Sequence, residues 1–372
     1  MGSQFDFSKL GPLVMGGAGF SYQLHKDPES LPLRQILLRA FELGLRTIDT
    51  SPYYEPSEQL MGAALSSPEI TSRYQRNDYI LMTKAGRIKE DHFDYSPAWL
   101  KKSVARSLER FQTTYLDVVF CHDVEFVTLE EAVTAVGTLF AFKEAGAIKA
   151  IGISGYRIDI LAQVAQLVRE RFGQPVDIVQ NWAQLTLQNT RLELGGFEAF
   201  REAGVKAVVC SSPLAVGLLR YGGIPTGRTG DWHPSPQGMR LAAQQAAEWV
   251  HGQGQVMSRL AMRFAIGKAI QNSSPDFTIT TASGISTMSD LEDNVEAAKS
   301  ILRSSGSSSA NEGSLARLNT VNEEELAKDQ PYYKQVRDIL NNWVDYDFAE
   351  PKPKDEKDCI EAVQEQTINA RI

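Results

Sequence analysis

Residues 97–154 read PAWLKKSVARSLERFQTTYLDVVFCHDVEFVTLEEAVTAVGTLFAFKEAGAIKAIGIS. At the start of this stretch Leu100, Val104, Leu108 and Phe111 recur every three or four residues, which gives one apolar face and predicts a helix over Pro97–Phe111. Leu116–Cys121 is a short apolar run, the signature of a strand buried on both faces. Leu129–Glu144 returns to helical spacing, and Ala150–Ser154 is again strand-like. Helix, strand, helix, strand in unbroken succession is the pattern of parallel βαβ units.

The same alternation extends outward in both directions. Further strands are expected at Leu13–Gly16, Thr47–Asp49, Ile80–Thr83, Ile178–Gln180, Ala207–Ser211 and Thr278–Thr281, with helices at Leu33–Leu43, Ile158–Arg171, Gly196–Ala203 and Leu291–Ile301. Eight strands, each followed by a helix, favour an α/β fold closed into a (β/α)8 TIM barrel with a C-terminal helical extension. An open doubly wound sheet is the alternative, but its G-x-G-x-x-G turn is missing: Gly16-Gly17-Ala18-Gly19 follows the first strand with the wrong spacing. Two segments interrupt the rhythm. Leu219–Gly238 is rich in Gly and Pro and follows the seventh strand, where a long loop faces the active site of a barrel and can serve as a lid. Ser304–Ser314 (SSGSSSANEGS) has the composition of a linker. The expected organisation is a barrel over 1–302, a flexible linker over 303–320, and a C-terminal extension and tail over 321–372 with a helix at Asp329–Trp343.

The 372-residue chain is 42% hydrophobic and 23% charged, with net charge −8 and no block of like charge, so neither nucleic acid nor an anionic membrane is expected as a partner. Its longest apolar runs, such as Tyr115–Cys121 and Val205–Cys210, are strand-sized and too short to span a bilayer. MGSQFDFSKL lacks the apolar core of a signal peptide, and Asp6 stands where a myristoylation signal has Ser or Thr, so a cytoplasmic location is expected. Cys121 and Cys210 each close a buried strand and read as core thiols. The five histidines are dispersed, without paired metal-ligand spacing.

Barrel enzymes collect their reactive groups at the C-terminal ends of strands. Asp49 ends strand two and is followed by Tyr53 and Tyr54, Lys84 follows strand three, and His122 and Asp123 follow strand four. A phenol titrates near about pH 10, too high for ready proton exchange at neutrality. A nearby ammonium lowers that value, a carboxylate anchors the ammonium, and a histidine across the site can hold the substrate oxygen. Such a set suits proton transfer at a carbonyl or alcohol. Each member also has a structural reading: Asp49 as a loop cap, Lys84 as half of a rim ion pair, His122 as a satisfied strand-end histidine, either tyrosine as packing. Their arrival on three successive strand ends favours chemistry.

Over residues 10–300 the sequence resembles the aldo-keto reductases. The motifs that carry the resemblance are Asp49-Thr50-Ser51-Pro52-Tyr53-Tyr54 with Glu58 and Met61-Gly62, then Leu81-Met82-Thr83-Lys84, then Asp117-Val118-Val119-Phe120-Cys121-His122. The resemblance implies Tyr54 as general acid/base, because the family's tyrosine stands five residues after the aspartate, with Lys84 and Asp49 tuning it and His122 orienting the substrate. It also implies a nicotinamide cofactor. Ser154 and Gln180 match the family's carboxamide ligands, with Gly155 replacing an asparagine. Ser211-Ser212-Pro213-Leu214 matches a Tyr-Ser-Pro-Leu motif, with Ser211 in place of the stacking tyrosine. Gly284–Asn294 resembles the adenosine site, with Gly284, Ser286, Asp290 and Asn294 as candidate contacts. That stretch holds no Lys or Arg for a 2′-phosphate and has Asp290 where an Arg is common, so NAD is expected over NADP.

Within the family, DTSPYY (49–54), FDYSP (93–97), CHDVEF (121–126), SSPLAVGLL (211–219) and DWHPSP (231–236) are similar to plant and fungal dehydrogenases of L-galactose and D-arabinose. The reaction so implied oxidises C1 of a free aldose to the aldonolactone with NAD, Tyr54 acting as base and Tyr22, Asp123 and Trp232 as candidate sugar contacts. Two other readings stand beside it. One is an NADPH-dependent reductase of a small aldehyde such as pyridoxal. The other is a non-catalytic, cofactor-sensing subunit, for which the loss of one of the four catalytic positions would be expected.

Overall fold

Alternation along each strand decides which side chains meet at the centre. The computed structural model describes residues 5–224, 233–304 and 314–347. Its strands are β1 (Leu13–Gly16), β2 (Thr47–Asp49), β3 (Ile80–Ala85), β4 (Leu116–Cys121), β5 (Ile148–Gly155), β6 (Ile178–Trp182), β7 (Ala207–Ser211) and β8 (Thr278–Gly284). They lie parallel in sequence order, and β1 pairs with β8, from Leu13↔Thr281 to Gly16↔Gly284, to close the expected barrel.

Around it run α1 (Leu33–Leu43), α2 (Ser57–Leu65), α3 (Pro68–Thr71), α4 (Pro97–Arg110), α5 (Leu129–Glu144), α6 (Ile158–Phe172) and α7 (Phe197–Glu202). They are followed by α8 (Gln237–Gly252), α9 (Met257–Asn272), α10 (Met288–Ile301) and α11 (Glu323–Leu340). Both α8 and α9 lie between β7 and β8. The buried residues of α9 include Leu260, Ala261, Met262, Phe264, Ala265 and Ile266, which go round the whole cylinder, so its sequence shows no single apolar stripe.

Period-two alternation sends Val14, Ile80, Met82, Val118, Phe120, Ala150, Ile178, Ala207, Val209 and Ala282 into the barrel, where they form one apolar cluster with Phe7 and Leu10. The intervening residues, among them Ile48, Leu81, Val119, Cys121, Ile153, Val179 and Cys210, face the helices and belong to a second, larger cluster. One further step along the inward parity of β2 to β7 brings Asp49, Lys84, His122, Ser154, Gln180 and Ser211 to the C-terminal rim. The polar groups thus stand on top of the apolar layer, at the C-terminal ends of the strands. The outward cysteines are inert: burial pushes the Cys121 thiol up to about 12 and the Cys210 thiol up as well.

A buried carboxylate locks the strand-three corner. Glu58 on α2 accepts from Thr83 Oγ1 at 2.7 Å, Ser107 Oγ at 2.8 Å and Arg110 Nη1 at 3.0 Å. That contact requires α2 to approach the end of α4 closely. A Cβ on Gly62 would sit 1.8 Å from the Arg110 carbonyl oxygen, so no other residue fits there.

Of the expected linker over 303–320, residues 305–313 lie outside the described residues, and the flanks pair as β9 (Leu302–Arg303) and β10 (Thr320–Val321), antiparallel. The C-terminal helix begins at Glu323, ahead of the expected Asp329. It packs against the barrel's outer helices: Arg263 grips Asp329 with two bonds of 2.6 and 2.8 Å, and Tyr333 meets Phe264 edge-on. Beyond it, Gln184 Nε2 donates to Asp347 at 2.7 Å and Gln188 Nε2 to the Trp343 carbonyl at 2.7 Å. The extension therefore braces the loop that follows β6. Among the described residues, no helix is long and apolar enough to cross a membrane.

Candidate active site

A cavity of about 620 Å³ opens at the C-terminal ends of the strands, within the size range of cofactor and small-molecule sites. Asp49, Tyr54, Lys84, His122, Asp123, Ser154, Gln180, Ser211, Pro213, Leu214 and Gly284 all line it. Every one of them is a candidate from the sequence.

Lys84 and Asp49 form a buried pair at 3% and 5% exposure. The ammonium donates to Asp49 Oδ1 at 2.8 Å, to Oδ2 at 2.7 Å and to the Thr50 carbonyl at 3.0 Å, which engages all three of its donors. Tyr54 lies beside this pair, with Lys84 Nζ 5.4 Å from its ring centroid. The expectation that the ammonium lowers the phenol is corrected here. Burial, followed by the charges of Asp49 and Asp123, holds the Tyr54 hydroxyl well above its ordinary value. The ammonium is matched by Asp49, so little of its field is left for the phenol.

His122 is neutral. Burial, then the charges of Lys84 and Arg87, keep its pKa well below the usual imidazole range. Ser51 Oγ accepts from the Tyr53 amide at 3.1 Å and lies 3.1 Å from His122 Nδ1. With the imidazole proton on Nε2, the nitrogen that faces the Asp123 carboxylate, Ser51 donates to Nδ1. Nε2 lies 3.6 Å from Asp123 Oδ2. On the same carboxylate oxygen Arg87 forms a short ion pair, and the Arg87 guanidinium stacks 4.2 Å from the Tyr53 ring centroid. The cavity is thus polar and hydrogen-bonding on the side of Tyr54, His122, Arg87 and Asp123, and closed by Tyr156 and Trp182, edge to face at 4.4 Å.

The opposite wall fits a nicotinamide. Gln180 Nε2 donates to Asp49 at 3.1 Å and to Ser211 Oγ at 2.9 Å, which fixes the amide orientation. Its Oε1 is buried and has no hydrogen-bond partner, an acceptor ready for a carboxamide NH2. A Cβ at Gly155 would meet Glu125 Oε2 at 2.1 Å, so the family's asparagine would fit there only with the Glu125 side chain displaced. Glu125 occupies that space and accepts from the Tyr156 amide at 2.7 Å. After β7 the backbone at Ser212, Ala215 and Val216 is left-handed, with φ of 61°, 48° and 59°. For the β-branched Val216 that is a strained conformation, of the kind concentrated at ligand sites. Ser212, Val216 and Gly217 of this loop line the cavity together with Arg220, a cation that could hold an anionic group.

Other candidates lie elsewhere. Tyr22 is 58% exposed and its hydroxyl bonds to Glu29, so it is corrected from sugar contact to surface residue; its neighbours Gln23 and Leu24 line the cavity instead. Trp232 lies outside the described residues. Ser286, Asp290 and Asn294 are not on the cavity wall. Asp290 closes a capping box with Thr287, accepting from the Thr287 amide at 3.0 Å and the Ser286 amide at 3.2 Å. Asn294 donates to Ser283 Oγ at 3.2 Å. Sequence reasoning missed Ser51, Arg87, Tyr156, Asn181, Trp182 and Arg220. The Thr287-x-x-Asp290 spacing was a legible cap; Arg87 and Tyr156 sit just past strand ends and could have been found by following the rim one turn further.

Residues 12–308 match the Aldo/keto reductase family. The chain is 38% identical over 301 residues to the D-arabinose 1-dehydrogenase of Saccharomyces cerevisiae, covering 80% of this chain and 86% of that protein. It is 33% identical over 261 residues to the L-galactose dehydrogenase of Arabidopsis thaliana, covering 69% of this chain and 75% of that protein. An aldo-keto reductase from Bacillus halodurans, in its holo form, superposes with a TM-score of 0.59 at 21% identity over 90% of this chain and 95% of its own, a likeness of fold. The chain belongs to the aldo/keto reductase family and is an oxidoreductase that works with a nicotinamide cofactor.

Proposed function

We propose that the protein oxidises C1 of a free aldose, of the D-arabinose or L-galactose type, to the aldonolactone with NAD. The observation that carries this reading is one cavity in which Tyr54, neutral His122 and the Lys84–Asp49 pair converge beside a second, polar pair, Arg87–Asp123. Two relatives whose names specify those sugars support it. The reaction removes a hydride and a proton from C1–OH, and a bound oxidised nicotinamide supplies the hydride acceptor and a positive charge in the cavity. Gln180 Oε1 and Ser154 would hold its carboxamide. His122 Nε2–H donates to O1 and aligns it, and Tyr54 exchanges the proton with the same oxygen. Burial holds the unliganded Tyr54 phenol up, and a positive charge close by lowers a phenol's pKa, so a bound oxidised nicotinamide would favour the base. NAD over NADP is supported by the acidic helix start: Asp290 holds its carboxylate there in the capping box, and no Lys or Arg lies between Gly284 and Asn294.

An assay of NAD and NADP reduction over D-arabinose, L-galactose, L-fucose and L-xylose tests the proposal. The expected result is turnover on at least one sugar with higher kcat/KM for NAD, rising with pH as Tyr54 ionises. Tyr54→Phe should cost about 10²- to 10⁴-fold in kcat while NAD binding is retained. Turnover confined to aldehyde reduction with NADPH overturns the reading, as does near-normal kcat in the variant.

A further inference from the structure

We propose that Asp123, held by Arg87, accepts the hydrogen bond of the hydroxyl on C2 of the sugar, so that the site selects aldoses with a free 2-hydroxyl over 2-deoxy sugars and simple aldehydes. This rests on the reading of Tyr54 and His122 as the groups that meet O1.

His122 Nε2, the donor to O1, is 3.6 Å from Asp123 Oδ2. A gauche vicinal diol sets its two oxygens a hydrogen-bond length apart. With O1 on Nε2, O2 therefore arrives beside the Asp123 carboxylate. The contacts of that carboxylate to Arg87 and His122 both run through Oδ2. A carboxylate offers about four lone-pair positions, so capacity for a hydroxyl remains.

The acceptor is also preorganised. Asp123 has φ of 61°, a left-handed conformation that Asp and Asn tolerate better than most residues. Its amide donates to Ser154 Oγ at 3.3 Å. Arg87 is pinned from behind, donating to the carbonyls of Glu90 at 2.9 Å and Lys89 at 3.3 Å and stacking on Tyr53. Arg87 is thus a positioning residue: it fixes the carboxylate and balances its charge. A purely architectural pair would be a poor stabiliser in this setting, because both charges are largely removed from water while still lining the cavity.

Electronic effects oppose the proposed preference, which makes it diagnostic. A 2-hydroxyl withdraws electron density from C1 and slows loss of hydride. Without recognition at C2, a 2-deoxy sugar should therefore react at least as fast as its parent.

The test compares kcat/KM with NAD for D-arabinose against 2-deoxy-D-arabinose and for L-galactose against 2-deoxy-L-galactose, in the wild-type protein, Asp123→Gly and Arg87→Lys. The expected wild-type preference for the 2-hydroxy sugar is roughly 10- to 100-fold, the discrimination of a site built to pair a hydroxyl, moderated because Arg87 keeps the carboxylate partnered when the hydroxyl is missing. Asp123→Gly, which removes the acceptor and adopts the left-handed backbone freely, and Arg87→Lys should both narrow that ratio to within about threefold, whereas a structural defect would slow both sugars alike and leave the ratio intact. Equal wild-type turnover of parent and 2-deoxy sugar overturns the inference and leaves the aldose reading standing. A wild-type preference that survives in Asp123→Gly overturns the assignment to Asp123. No turnover on any sugar overturns the aldose reading and this inference with it.

Discussion

Replacing Lys84 by Met tests the buried pair on which the site is built. Methionine keeps most of the unbranched stem and removes the charge. Lys84 and Asp49 are 3% and 5% exposed, and the ammonium supplies both carboxylate oxygens with donors at 2.8 and 2.7 Å. Without it, the Asp49 carboxylate keeps the Gln180 amide at 3.1 Å and stays out of water. Removing one partner of a buried ion pair costs about 3–5 kcal/mol, most of it the penalty of the charge left behind. The double variant Lys84→Met/Asp49→Asn removes both charges and should recover much of that loss, with a coupling energy of about 2–3 kcal/mol. Urea unfolding followed by tryptophan fluorescence, with wild-type and variant slopes shown to agree, gives the numbers. The catalytic consequence has a definite sign. Asp49 already raises the Tyr54 phenol, and an unbalanced Asp49 raises it further, so kcat in the oxidative direction falls and its alkaline rise moves to higher pH. A single variant that loses less than about 1 kcal/mol, with additive behaviour in the double, would refute the account of the pair as a desolvated charge unit.

Two further outcomes are expected. Ser51→Ala removes the donor to His122 Nδ1, which lets the imidazole populate the wrong tautomer; kcat should drop about tenfold with NAD affinity unchanged, and the ¹⁵N shifts of His122 should report mixed tautomers. Glu125 is pushed up to about 8 by burial and then by Asp123, so the folded state binds a proton that the unfolded state has released; stability is greatest below the unfolded value and is lost as pH rises towards 8. The slope approaches about 1.4 kcal/mol per pH unit over that window, and Glu125→Gln should flatten it in melts recorded from pH 5 to 8; an unchanged slope rules out Glu125 as its source.

What could be read from the chain alone follows the reach of local rules. Period-two alternation is a property of the backbone, so Val118 and Phe120 facing inward already imply that His122 does too, and the same step works for Met82 to Lys84 and Ile178 to Gln180. The barrel and its ring of polar strand ends needed nothing more. Contributions from loops lay beyond that rule. Arg87 reaches Asp123 across the chain, Glu125 fills the space that Gly155 vacates, and Tyr22 turns outward to Glu29, each decided by the path of a loop that carries no periodic signal. The Tyr54 phenol shows the deeper limit. Sequence order placed an ammonium near it and suggested a lowered pKa, but Asp49 takes up that ammonium and burial pushes the phenol upward. Which of two opposed effects wins depends on distances and water exclusion. On the proposed reading that outcome has a functional consequence: a tyrosine held protonated by burial in the unliganded cavity, and favoured as a base beside a cationic nicotinamide, would couple proton removal to the presence of the hydride acceptor.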